Sequence, residues 1–163
     1  MNNSRISAIA LDIGKKRIGV AGCDGLGLAA IGLVTIDRKS VDYVIQELID
    51  IIRDRQPTVL VVGFPFNMDG TVGPQAKQTV RLASILSKAV GLPVEYVDER
   101  LSSMEAEDLI KAENLSPSQN KGLIDRKAAA LILERWLAGN DRVDEKKLLL
   151  ENVFKTVVSI DPN

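Results

Sequence analysis

The chain has 163 residues, 45% of them hydrophobic, 26% charged and only 4% aromatic, with 21 basic against 22 acidic residues for a net charge of −1. It contains no histidine and a single cysteine, Cys23. Serine–histidine triads, imidazole bases, cysteine-rich metal sites and intramolecular disulfides are therefore excluded, and catalysis must rest on carboxylates, Lys, Arg, hydroxyls or a hard cation held by oxygen. A length of this order implies one domain, burying roughly 70% of the surface it exposes when unfolded.

In chain order, residues 6–13 (ISAIALDI) form a short aliphatic strand, interrupted by Gly14-Lys15-Lys16-Arg17 and resumed as a second strand over 18–23. Two strands joined by a short glycine-containing turn predict a hairpin. A third strand is expected over 28–36, after the glycine-rich turn 24–27. Ser40 is placed to cap a helix in which Val41, Val44, Ile45, Leu48 and Ile52 recur at helical spacing, and Gln56-Pro57 closes it. The β-branched run 58–63 reads as a strand covered on both faces. A loop follows over 64–73, and Pro74 suits the first turn of a helix that runs to about Val90. Residues 94–97 make a fifth strand. Ser102 and Glu105 have capping-box spacing for the next helix. A loop around Ser116-Pro117-Ser118 precedes a last helix over about 121–138, and a charged, then apolar, tail covers 141–163. Strands alternating with helices predict an α/β sandwich on a mixed sheet.

Three acids stand out. Asp12 ends the first strand on the face it shares with Ala8 and Ala10, whose small side chains leave room around a carboxylate. Asp98-Glu99-Arg100 follows the fifth strand, at the end of an open sheet where ligands bind. Either carboxylate can face inward there, and a Glu99–Arg100 surface ion pair is the alternative. Asp125 has Ala128, Ala129, Ile132 and Trp136 at i+3, i+4, i+7 and i+11, so it sits within the apolar stripe of its helix. A charge in that position demands either an ion-pair partner or a metal. Convergence of the three would suit hydrolysis of phosphodiesters assisted by Mg²⁺ or Mn²⁺, which needs no histidine.

Four segments resemble one family in order and spacing: Asp12-Ile13-Gly14-Lys15-Lys16-Arg17-Ile18-Gly19-Val20-Ala21; Val62-Gly63-Phe64-Pro65-Phe66-Asn67-Met68-Asp69-Gly70-Thr71; Val97-Asp98-Glu99-Arg100-Leu101-Ser102; and Ile124-Asp125 with Ala128-Ala129. They are similar to the YqgF-type family, ribonuclease-H-like Holliday-junction resolvases also described as pre-16S ribosomal RNA nucleases. The resemblance spans about residues 6–138. It implies a ribonuclease-H-like three-layer α/β fold, a five-stranded mixed sheet with helices on both faces, with a nuclease domain over 1–140 and a tail of unassigned role over 141–163. It also implies a divalent-metal endonuclease that matures the 5′ end of 16S rRNA, with Asp12, Glu99 and Asp125 as catalytic and metal-holding acids. The resemblance departs at the fourth strand. Better-known resolvases of this fold carry an acid there, whereas Gly63-Phe64-Pro65 stand here.

Around that site, Lys15, Lys16 and Arg17 are the clustered cations nearest Asp12 and are expected, with Asn67 and Arg100, to touch nucleic acid. Phe66 has a choice between packing and base stacking, and Cys23 reads as a small buried residue. The partners expected are pre-rRNA or branched DNA, and pre-30S ribosomal particles. The alternative is a non-cleaving nucleic-acid or assembly protein on the same fold. An actin-like nucleotide binder shares the hairpin after a strand-end Asp but needs two such domains. No apolar stretch reaches the roughly 18–20 residues of a membrane span and no signal peptide is evident, so a cytoplasmic location is expected.

Overall fold

The computed structural model describes residues 6–100, 102–139 and 142–143. Strands β1 (Ala8–Ile13), β2 (Arg17–Cys23) and β3 (Ala30–Asp37) precede helix α1 (Val41–Arg55). Then follow β4 (Val59–Phe64), α2 (Pro74–Val90), β5 (Val94–Asp98), α3 (Ser102–Ala112), α4 (Lys121–Leu137) and a two-residue β6 (Arg142–Val143). The serine-flanked segment before α4 is a single 3₁₀ turn, Pro117–Gln119.

The sheet order is β3-β2-β1-β4-β5-β6. The first three strands form an antiparallel meander, β1, β4 and β5 run parallel, and β6 returns antiparallel to β5. The five long strands are those expected. The sixth lies two residues past the expected end of the domain, and the rest of the tail lies outside the described residues.

Local chemistry explains the boundaries. Ser40 accepts a hydrogen bond from the Tyr43 N–H at 3.0 Å and so caps α1. Gln56 ends that helix in the left-handed region at φ 50°. α2 opens on Pro74 and closes on Gly91 at φ 72°. α3 starts at Ser102 as expected, while that side chain, with its proposed capping box, lies outside the described residues.

The alternation along β1 divides the molecule. Ile9, Leu11 and Ile13 point into a large core under α1 and α2, with Val44, Leu48, Val80, Ala83 and Leu86. Ala8 and Ala10 point the other way, into a smaller core with Val61, Val97 and the α4 residues Ala129, Ile132 and Leu133. Each buried Leu, Ile or Val contributes about 1.5–3 kcal/mol of transfer free energy, so the two cores clamp the sheet between helical layers. The second is built from alanines because α4 lies very close to the strands. A Cβ at Gly19 would stand 3.1 Å from the Cα of Asp125 and nearer still to its carbonyl. Only glycine lets the helix backbone rest on β2 at that point. No helix among the described residues is long and apolar enough to cross a membrane.

Candidate active site

The small-residue core opens to solvent at the C-terminal ends of β1, β4 and β5, and the acids gather there. Asp12 is the last residue of β1 to face α4. Glu99 follows β5, and its N–H donates to the Phe64 carbonyl at 3.2 Å, which extends the β4–β5 ladder and turns its side chain inward. The Glu99 carboxyl lies directly over Gly63. A Cβ at Gly63 would collide with it and would stand 2.6 Å from Ile132 Cδ1. The position on β4 that lacks an acid is thus the space filled by an acid reaching across from β5.

Asp12 and Glu99 are hydrogen bonded to each other. Burial, then the Asp12 charge, then the shared hydrogen bond push Glu99 up to about 9. Burial is also the chief cause that raises Asp12; acceptance of the Glu99 bond opposes it, and the Asp125 charge adds to it. The shared bond favours the protonated form of Glu99, which is its donor, and the charged form of Asp12, which accepts it. Both side chains remain partly open to solvent.

Asp125 stands within electrostatic reach of Asp12 but has its own cation. Arg17 Nε donates to Asp125 Oδ2 at 2.6 Å, with the side chains 32% and 20% exposed. Arg17 therefore neutralises an acid of the site; its expected role toward phosphate would require it to turn away from Asp125. Lys15 and Lys16 are exposed on the β1–β2 turn.

The choice between Asp98 and Glu99 is also visible. Asp98 binds Arg100 through Nε and Nη2, at 3.0 and 2.7 Å to Oδ2, while Glu99 is the one set against Asp12. The ion pair weighed for Glu99 is thus made by its neighbour. Arg100 also stacks over Phe66, 5.6 Å from the ring centroid. Phe66 packs on Phe64 at 4.4 Å between centroids, so its ring is engaged in packing. Asn67 is exposed and orders its loop. Its amide donates to Thr71 Oγ1 at 2.8 Å, and its backbone N–H to the Thr71 carbonyl at 2.8 Å. Cys23 is buried, its thiol directed at the Ile6 and Ala8 carbonyls.

Arg135 had no place among the expected site residues. Its helical position is off the apolar stripe, yet its side chain folds back with only 19% exposed. It donates to the Asp98 carbonyl at 3.1 Å and to Glu105 at 2.8 Å, bracing the turn that carries Glu99. No helical-wheel argument reveals this. The interior glycines 19 and 63 were the readable signal, since glycine within a strand marks close approach.

Among the described residues no three acids form a ready-made metal-ligand cluster. The donor chemistry nevertheless fits a hard divalent cation. Asp12 and Glu99 are oxygen ligands whose mutual repulsion a cation would relieve, and Asp125 would join them on parting from Arg17.

A family model described as RuvX, Holliday junction resolvase, matches residues 6–139. A Trichormus variabilis protein named "Putative pre-16S rRNA nuclease" is 59% identical over 132 residues, 81% of this chain and 87% of that protein. A Synechococcus elongatus protein of the same name is 56% identical over 131 residues, 80% of this chain and 88% of that one. Among solved structures, Thermus thermophilus RuvC in complex with a Holliday junction substrate superposes with a TM-score of 0.52 at 15% identity, covering 85% of this chain and 99% of that one. The fold is accordingly the ribonuclease-H-like one expected.

Proposed function

The chain belongs to the RuvX family of Holliday junction resolvases, and from that premise we propose that it is a divalent-metal-dependent endonuclease acting on structured nucleic acid. Its relatives' name points to pre-16S rRNA as the substrate, the sequence resemblance to the 5′ end of that RNA, and the family's description to branched DNA as a second substrate. The reading assigns the nuclease to residues 1–140, leaves 141–163 as a tail, and places the protein in the cytoplasm, where precursor rRNA is found.

One observation carries it: three acids far apart in sequence converge at one sheet end, Glu99 with its carboxyl over Gly63 and close enough to Asp12 to be pushed up by its charge, and Asp125 on Gly19, the β2 partner of Asp12. Asp12, Glu99 and Asp125 are the residues that would hold Mg²⁺ or Mn²⁺. Such an ion activates water and neutralises charge on the phosphate. In the hydrolysis, water adds to phosphorus, the bond to the 3′ oxygen breaks, and a 3′-hydroxyl and a 5′-phosphate result. The chain's part is to bind and orient. Lys15 and Lys16 are exposed to meet phosphates, Arg17 can exchange Asp125 for a phosphate oxygen, and Arg100, just after β5, and Asn67, in the 64–73 loop, supply further donors. The test is to incubate purified protein with a pre-rRNA leader and with a four-way junction in Mn²⁺, Mg²⁺ or EDTA. Cleavage is expected only with metal and only with Asp12 intact. Cleavage that persists in Asp12→Asn or in chelator rejects the mechanism.

A second reading, a non-cleaving assembly protein that binds pre-30S particles, is favoured by the neutralisation of Asp125 by Arg17. Full complementation by Asp12→Asn and Asp125→Asn, with unchanged co-sedimentation with the particles, would select it.

A further inference from the structure

Adjacent residues of a strand face opposite ways, so the end of β1 serves two surfaces. Asp12 opens toward α4 and the acids. Ile13 opens toward α2, where it floors a second, small and shallow depression open to solvent. Its rim carries Lys15 from the β1–β2 turn, Arg38 from just after β3, and Gln75 and Gln78 from α2, with Thr79 behind them. No carboxylate lines it. Arg38 is held in place there. Its backbone N–H donates to the Lys16 carbonyl at 2.8 Å, and its Nη1 to the Gly14 carbonyl at 2.7 Å. That side-chain bond uses one of the five donors of the guanidinium fork. Lys15, Arg38, Gln75 and Gln78 are all exposed.

The helix behind this rim is unusual in charge. α2 carries Lys77, Arg81 and Lys88 and no acidic residue, whereas its neighbour α1 carries Asp42, Glu47, Asp50 and Asp54 against Arg53 and Arg55. In a chain of net charge −1, the helix that walls the groove thus carries a local excess of three positive charges. Cations and amide donors around an acid-free depression are suited to phosphodiester oxygens.

We propose that this groove is a second nucleic-acid contact, in which Lys15, Arg38, Gln75 and Gln78 seat the phosphodiester backbone of the substrate on the face of the sheet opposite the carboxylates. The strand to be cut then reaches Asp12 over the end of β1. The proposal rests on the nuclease reading and adds to it a place where substrate is held without being cut.

Three substitutions of equal charge change separate a groove from a general field: Arg38→Gln, Gln78→Glu, and Lys88→Gln at the far end of α2. Gln78→Glu puts a good helix former at an exposed helical position and so leaves folding intact. Each is measured by fluorescence anisotropy against labelled duplex RNA and a four-way DNA junction, in Mg²⁺, on an Asp12→Asn background that prevents cutting. Arg38→Gln and Gln78→Glu are expected to weaken binding about fivefold or more. Arg38→Gln is also expected to lower the slope of log affinity against log salt by about one phosphate contact. Lys88→Gln should change affinity less than about twofold by comparison. In the cleaving protein the two groove variants should raise KM and leave kcat within about twofold. Equal effects from all three variants, or a fall in kcat without loss of binding, overturn the groove while leaving the nuclease reading in place. If neither the Asp12→Asn parent in Mg²⁺ nor the unsubstituted protein in EDTA binds either probe, and the unsubstituted protein cleaves neither in Mg²⁺ or Mn²⁺, both are overturned. Loss with one probe alone supports the groove and identifies which nucleic acid it serves.

Discussion

Two kinds of acid meet at the end of this sheet, and they are neutralised in opposite ways. Asp125 and Asp98 each have an arginine of their own, Arg17 and Arg100. Asp12 and Glu99 have chiefly each other, and burial raises both, Glu99 further through the charge of Asp12. An acid with an internal cation is satisfied by the fold. A pair of acids held against each other is less fully satisfied: Arg135 offsets Glu99 only in part, and further relief comes from a proton or from an ion supplied from outside. Stability is therefore given up at the Asp12–Glu99 corner, as expected where function and folding compete.

The comparison is sharpest in Glu99→Gln. Cleavage should fall by about 10³-fold or more, because an acid that would hold the ion is gone. The same change should stabilise the protein in EDTA at pH 8 by roughly 1–3 kcal/mol, because a buried carboxyl no longer has to stay protonated. Thermal melts beside a cleavage assay measure both, and a parallel loss of the two would break the comparison.

Gly63→Ala attacks the same corner from below. The added methyl meets Glu99 and Ile132, so a loss of about 1–3 kcal/mol from overpacking is expected. Activity should fall about 10- to 100-fold as Glu99 is displaced. Activity unchanged at permissive temperature would show that Glu99 needs no such space.

The pH dependence follows from the direction of the shifts. Glu99 lies near 4.5 when unperturbed and near 9 in the fold, so across that interval the folded state binds more protons than the unfolded one. Stability in EDTA is then highest below about pH 4.5, as far as this group contributes, and falls as pH rises toward about 9. Asp12, also raised, acts in the same sense. Mn²⁺ should flatten the decline, and melting temperatures across pH 5–9 with and without it read the difference. A slope that Mn²⁺ leaves untouched would mean that the ion does not replace the proton.

The smallest effect is expected in the satisfied corner. Arg17→Gln removes a partly exposed ion pair, worth on the order of 1 kcal/mol. Because Asp125 would then lack its internal cation, Mn²⁺ affinity by calorimetry should rise a few-fold, even as nucleic-acid binding weakens. A fall in Mn²⁺ affinity would show instead that Arg17 orients Asp125 for the ion.

How far these roles could be read beforehand differs from residue to residue. Asp125 was legible because helical periodicity is local: three and four positions bring Ala128 and Ala129 onto its face whatever else the chain does. Its partner was not, since Arg17 lies 108 positions away and reads equally well as a phosphate ligand on a turn. Asp98 and Glu99 could not be told apart because strand alternation ends where the strand does. A single backbone bond from Glu99 to Phe64 decides which of the two turns inward.

The pattern of apolar residues, caps and breakers determined the elements, their order and the two faces of β1, because those depend on neighbours within a few positions of one another. The pairing of charges was left to the tertiary structure. Coulomb and hydrogen-bond energies depend on distances in space, and these were set only when α4 came to rest on Gly19 and Glu99 crossed over Gly63. Whether an acid here meets an arginine or another acid is a consequence of that packing.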